Sequence, residues 1–128
     1  DLGGLKTEAE FESFEQGLVD RFGALPKQAI DLMHCTRLKI LATSLGLERV
    51  VLKNNRLVGY FISDQESAFY QSNLFGSILE FVQIQQGPYK LKQKETRNGL
   101  RLLLTIEGIK SAREGLEQLR QVNAPKSQ

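Results

Sequence analysis

The side chains best suited to covalent chemistry in this chain are His34 and Cys35, which stand next to each other in the sequence. A cysteine–histidine dyad needs the two side chains to converge, so that the imidazole can take the thiol proton. Neighbouring residues of a helix point about 100° apart, so a helical setting keeps the two groups separate. One cysteine and one histidine are also too few ligands for a structural zinc site. We therefore predict no catalytic residue, no metal site and no cofactor, and expect the chain not to be an enzyme.

Two groups of charged residues could instead bind a partner, and the first is Asp20 with Arg21. These residues close an amphipathic segment just before a predicted corner of the chain. Charged groups held at a rigid corner lose little conformational entropy on binding, which favours a partner contact. The alternative is an internal role, because a cation such as Arg21 is stabilised in the last turn of a helix by the helix dipole.

The second group is basic and belongs to a segment with strictly alternating polarity. Its members are Lys90, Lys92 and Lys94, with Arg97 and Arg101 nearby. Alternate residues of a strand are about 7 Å apart on one face, a spacing that phosphates of a nucleic acid could match. However, the net charge of the chain is only +2, and Tyr89 is predicted to point away from the lysines, so base stacking lacks support. A solvated strand is the preferred interpretation, and a nucleic-acid-binding module is the alternative.

Two helices and the corner between them position the first group. Thr7 and Glu10 form a capping-box pattern, and apolar residues at helical spacing follow, which predicts a helix over 8–22. A second helix is predicted from Pro26 to about Leu45, with Pro26 in its first turn. Gly23 can take the positive φ that ends a helix. Residues 22–26, here called the elbow, are thus predicted to form a rigid corner into which Phe22 and Leu25 pack.

The rest of the chain is predicted to form two β-hairpins interleaved with helices. The predicted elements are strands 47–53 and 56–62 around an Asn54-Asn55 turn, a short helix that starts with a capping-box pattern at Ser63 and runs to about 71, a helix over 73–85, strands 89–95 and 100–106, and a helix over 108–121. Hairpins give antiparallel pairs, so the fold class is α+β with the order α-α-ββ-α-α-ββ-α. Whether the hairpins share one sheet stays open.

Composition indicates one ordinary globular domain. Hydrophobic residues make up 41% of the 128 residues and charged residues 25%. We expect a flexible lead-in over 1–6, a single domain over 7–122 and a disordered tail over 123–128. The single cysteine fits a reducing compartment, and no apolar run or signal peptide is evident, so we expect a cytoplasmic location without membrane contact. The abrupt start suggests a piece of a longer protein.

The elbow sequence resembles the C-terminal domain of the bacterial transcription-repair coupling factors. The residues that carry the resemblance are Asp20-Arg21-Phe22-Gly23, Leu25-Pro26, Arg37-Leu38 and Leu45-Gly46-Leu47. The resemblance implies a regulatory domain of an ATP-dependent DNA translocase that acts in transcription-coupled DNA repair. Such a domain docks on the UvrB-like N-terminal module of its own protein. It thereby autoinhibits the protein, because it masks the surface that binds UvrA until RNA polymerase is engaged.

The resemblance also implies which residues make the contact. In the family, acidic residues on the helix before Asp-Arg-Phe-Gly pair with arginines of the UvrB-like module. Asp20 occupies one such position, whereas the other, three residues earlier, is Gly17, so Glu15 could replace the missing charge. We therefore expect a partner-binding set and a set that supports the elbow. The first is Asp20, Arg21, Glu15 and Gly17, and the second is Phe22, Gly23, Leu25, Pro26 and Arg37.

Overall fold

The computed structural model describes residues 8–85, 87–97 and 99–123. The helices are α1 (Glu8–Phe22), α2 (Lys27–Ser44), α3 (Asn73–Gln85) and α4 (Ala112–Asn123). The strands are β1 (Leu47–Lys53), β2 (Arg56–Phe61), β3 (Tyr89–Thr96) and β4 (Gly99–Glu107), and one 3-10 turn spans Ala68–Gln71. The α+β class and the predicted order of elements are confirmed. Thr7 of the predicted cap, the lead-in over 1–6 and residues 124–128 lie outside the described residues.

The four strands form one antiparallel sheet in the order β1-β2-β4-β3. The pairing of β2 with β4 joins the two hairpins, which answers the question that the sequence left open. Asn54 and Asn55 connect β1 to β2 with φ values of 57° and 59°. This geometry confirms the predicted two-residue turn, because asparagine tolerates the left-handed region at low cost.

Three helices cover one face of the sheet and enclose the core with it. Side chains of α2, α3 and α4 join a single buried cluster with alternate residues of the strands. The most deeply buried side chains are Leu45, Leu47, Leu57, Phe61, Ile78, Leu104, Ile106, Leu116 and Leu119. The opposite face receives no helix of this cluster. Among the described residues, no helix combines the length and the apolar character needed to cross a membrane.

The last helix begins at Ala112 rather than at 108. The backbone N–H groups of Gly108 and Ile109 both donate to the carbonyl oxygen of Asn55, at 2.8 and 2.9 Å. These bonds hold the residues after β4 against the β1–β2 turn, so the chain cannot become helical there. Ser111 then caps α4 by accepting a hydrogen bond from the N–H of Glu114.

The short helix before α3 is also shorter than the sequence pattern predicts. The 3-10 turn starts at Ala68, and the hydroxyl of Ser67 accepts a hydrogen bond from the N–H of Phe69. The predicted start at Ser63 is not used, because the carboxylate of Asp64 instead accepts from the N–H of Glu66 in a local turn.

A close approach between Gly46 and Phe69 links the helical layer to the first hairpin. Gly46 has φ of +84°, and a Cβ added there would overlap the ring carbons of Phe69. Phe69 belongs to an aromatic cluster with Phe61, Tyr70 and Phe75, with centroid distances to them of 5.9, 5.3 and 5.2 Å. Glycine at this position therefore allows both the turn after α2 and the packing of the cluster.

Candidate functional site

The elbow is a tight corner between α1 and α2. Gly23 has φ of +79° and its N–H donates to the carbonyl oxygen of Val19 at 2.8 Å, which ends α1. Pro26 is extended, with φ of −61° and ψ of 153°, and precedes α2 as its N-cap. Its carbonyl oxygen accepts hydrogen bonds from Ala29 and Ile30, both at 3.1 Å. Pro26 thus stands one position before the helix that the sequence predicts it to begin.

Helix α1 contributes none of its described side chains to the buried core. Of its side chains that the structure describes, none is buried, and Phe14, Glu15 and Leu18 are half-buried. Val19, immediately before the charged pair, is 36% exposed. On α2, Leu32 is 58% exposed. Each of the two helices that flank the elbow therefore carries an exposed apolar side chain.

Asp20 and Arg21 are both exposed at the end of α1. The side chain of Gln16, one turn earlier, donates from Nε2 to Oδ1 of Asp20 at 3.0 Å. This bond orients the carboxylate while leaving it in solvent. No intrachain ion pair of Asp20 or Arg21 is found in the part of the chain that the structure describes.

Gly17 and Glu15 occupy different sides of α1. Gly17 lies three residues before Asp20, about 60° away around the helix, whereas Glu15 lies about 140° away. A Cβ at Gly17 would meet nothing within 4 Å, so this side of the helix is open. Glu15 is half-buried, and its charge partly offsets the lowering of the His34 pKa by burial and by nearby arginines. Glu15 therefore lies on the side of α1 nearer α2, and not beside Asp20.

His34 and Cys35 are neighbours on α2 and are both half-buried. Burial lowers the pKa of His34, and the cations of Arg37 and Arg113 lower it further, against opposing effects of Glu15 and Asp31. Arg37, predicted to support the elbow, is itself buried about three turns into α2. Within the described ranges, no group of three histidine, cysteine or acidic residues is placed to hold a metal ion.

The predicted basic residues fall into two groups in the structure. Lys90, Lys92 and Lys94 are exposed on β3, and Arg97 is exposed in the turn after it. Arg101 is instead half-buried and committed to internal contacts: Nη2 donates to Oε1 of Glu48 at 2.7 Å, and Nε donates to the carbonyl oxygen of Phe61 at 3.2 Å.

Tyr89 points away from the lysines, as predicted, and is buried with its hydroxyl 2.6 Å from Oε1 of Gln118. An aromatic residue that sequence reasoning missed lies on the lysine face. The register pairs Tyr60 with Leu103 and Leu103 with Lys92, which places all three on one side of the sheet. The alternating pattern of β2 could have indicated that Tyr60 points away from Leu57 and Phe61. Only the strand order shows that this is also the side of the β3 lysines.

The comparisons with known proteins agree on one type of domain. A family model described as "TRCF domain" matches residues 1–72. The transcription-repair-coupling factors of Rickettsia conorii and Rickettsia bellii are each 29% identical over 91 residues, which is 71% of this chain. The chain spans only 8% of the length of these relatives.

A solved structure also resembles the chain. It is described as the crystal structure of the C-terminal domain of transcription-repair coupling factor, and it matches with a TM-score of 0.63 at 19% identity. The match covers 94% of this chain and 75% of that chain. At this identity the likeness concerns the fold.

Proposed function

Because the chain belongs to the TRCF domain family, we propose that it acts as a non-catalytic, autoinhibitory domain of a transcription-repair coupling factor. The end of α1 with Asp20 and Arg21, together with the elbow, docks on the UvrB-like N-terminal module of the same protein and masks the surface that binds UvrA. Engagement of RNA polymerase by the parent protein then releases the mask.

The exposure of the side chains of α1 is the observation that supports this proposal. None of its described side chains is buried, and its last turn carries the exposed residues Val19, Asp20 and Arg21. A helix with apolar side chains that its own domain leaves uncovered is suited to a second surface. The fixed corner at Gly23 and Pro26 displays this surface in one orientation, which lowers the entropy cost of docking.

The contact should be weak enough to reverse. An exposed ion pair contributes about 0–1 kcal/mol, and Gly17 provides no charge where the family has a second acidic residue. Asp20 therefore carries most of the electrostatic attraction, and Val19 and Leu32 supply apolar area. A mask of this strength can open when a competing partner binds, because a ligand shifts an equilibrium by its differential affinity for the two states.

The test is calorimetric titration of this chain into the N-terminal module of its parent protein. We expect binding in the micromolar range and about a tenfold loss with Asp20→Arg, since a reversed charge replaces attraction by repulsion. Glu66→Arg is the matched control, because it makes the same change of charge at an exposed residue outside the elbow. UvrA added to the complex should compete with this chain for the module.

Two results would contradict the proposal. The first is no binding at high micromolar concentration. The second is an equal loss from Asp20→Arg and Glu66→Arg, which would indicate a non-specific effect of charge.

A further inference from the structure

The face of the sheet that the helices leave uncovered collects basic residues from all four strands. Directly paired residues of antiparallel strands point to the same side, so the register identifies this set. The cations on this side, here called the open face, are Arg49, Lys53, Arg56, Lys90, Lys92, Lys94 and Arg101. Although the net charge of the chain is only +2, its positive charge is therefore concentrated on one face of the sheet.

The open face has basic margins and a centre that is only partly apolar. Its outer strands are β1, with Arg49 and Lys53, and β3, with the three lysines. The inner strands β2 and β4 carry Val58, Tyr60, Leu103 and Thr105, with Arg56 and Arg101 toward their ends. Leu103 and Thr105 are buried, so Tyr60 and Val58 supply the accessible apolar area. With strands about 4.8 Å apart, the two margins are about 14 Å from each other.

Carboxylates reach the open face at two points. Glu107 lies 3.4 Å from Arg56, and Glu48 lies 2.7 Å from Arg101. For Lys53 and the three lysines of β3, no ion pair is found within the described ranges. Most of the positive charge is therefore uncompensated and available to an anionic partner.

The guanidinium groups of two arginines lie near the ring of Tyr60 in the centre of the open face. The guanidinium carbon of Arg49 and that of Arg101 each lie 5.5 Å from the centroid of its ring. Unpaired bases stack on aromatic rings and on the planes of arginine guanidinium groups. The centre of the open face thus offers planar groups as well as apolar area.

We propose that the open face binds single-stranded nucleic acid without marked sequence preference. The lysines of β3, about 7 Å apart, contact successive phosphates, and unpaired bases lie over Tyr60 and its arginines. A duplex keeps its bases stacked inside, so it would use the basic margins and leave the centre uncovered. An acidic peptide would likewise form ion pairs with the basic margins and make no stacking contact with Tyr60. This surface is separate from the elbow, so the proposal stands independently of the masking function.

The test measures the fluorescence anisotropy of a labelled oligothymidine of about 12 nucleotides, titrated with the 128-residue chain. We expect binding whose log affinity falls with log salt concentration at a slope of about −2 to −3.5, as for three to five phosphate contacts. Lys90→Glu combined with Lys92→Glu and Lys94→Glu should weaken binding on the order of a hundredfold. Tyr60→Leu, which keeps an apolar side chain, should weaken it about tenfold.

A matched control makes the same change of charge away from the open face. Lys27→Glu combined with Lys39→Glu and Lys110→Glu alters three exposed lysines outside the sheet and should retain most of the affinity. Circular dichroism of every variant checks that the fold is kept. The proposal is overturned if the control variant loses as much affinity as the β3 variant, or if oligothymidine does not bind at low salt. Equal binding of a duplex of the same length, or equal displacement by polyglutamate, also overturns it.

Discussion

The guanidinium of Arg101 on β4 meets the carboxylate of Glu48 on β1 at 2.7 Å, although β2 separates these two strands in the sheet. The contact is possible because Glu48 occupies an irregularity in the β1–β2 register, between Leu47 and Arg49. A second donor of Arg101 reaches the carbonyl oxygen of Phe61, at the end of β2. One side chain thus connects three strands.

Replacing Arg101 should therefore destabilise the fold. We expect Arg101→Ala to lower the free energy of unfolding by about 1–2 kcal/mol, because it removes a charge-assisted hydrogen bond and leaves the partially covered carbonyl unpaired. Urea denaturation followed by circular dichroism measures the change. Lys94→Ala, the exposed residue paired with Arg101 across β3 and β4, should alter stability by less than about 0.5 kcal/mol. Similar losses from both variants would contradict the structural role.

The glycine beneath Phe69 should tolerate no side chain. Gly46→Ala forces a Cβ into the ring at a positive φ, so we expect a loss of about 2–4 kcal/mol in the free energy of unfolding. Gly76→Ala on α3 provides the matched control. It meets nothing within 4 Å and should stabilise the fold by about 0.5–1 kcal/mol. Thermal and urea unfolding of the two variants should therefore shift in opposite directions.

His34 should make stability depend on pH in the mildly acidic range. Burial, with Arg37 and Arg113, lowers the pKa of His34 below 6.5 in the folded state. The unfolded chain then binds the proton more readily, so stability should fall as the pH drops from about 6.5 through the folded-state pKa. His34→Gln should flatten this dependence in urea denaturation.

Proton NMR can observe the same group directly, since His34 is the only histidine of the chain. High salt should reduce the part of the shift that the arginines cause and leave the part caused by burial. A titration midpoint at or above 6.5 would show that the opposing charges of Glu15 and Asp31 prevail.

Helix α1 should unfold locally more easily than the other helices. Because none of its described side chains is buried, its amide protons should exchange with solvent much faster than those of α4, whose Leu116 and Leu119 are in the core. Hydrogen exchange with NMR detection measures both helices in one sample. Equal protection of α1 and α4 would mean that α1 is held by contacts other than burial. Added N-terminal module should slow exchange selectively in α1 if the elbow is its docking site.

Local patterns in the sequence predicted most of the fold. Helix α1 has the predicted bounds, and the Asn54-Asn55 turn has the predicted geometry, because capping, periodicity and turn preferences act over a few residues. The resemblance to the transcription-repair coupling factors is confirmed as well, since it depended on a contiguous segment around the elbow.

What the sequence could not supply was the relation between distant segments. Gly108 and Ile109 look helical by spacing, yet hydrogen bonds to Asn55 hold them in a loop. Arg101 looks like an unpaired surface cation, yet Glu48, far earlier in the chain, holds it in an ion pair. Tyr60 lies on the same face as the lysines because β2 pairs with β4, and the sequence does not indicate that pairing. The exposure of Asp20 and Arg21 could not be predicted either, because it depends on how few of the described side chains of α1 are buried.

The pairing of β2 with β4 affects how the chain folds during its synthesis. Strand β2 emerges from the ribosome well before β4, and until β4 arrives the first hairpin lacks its neighbour on one side. Its unsatisfied backbone groups then form a template on which a second nascent chain could add a strand. A product that terminates before residue 99 would keep this template permanently, and we expect it to aggregate or be degraded.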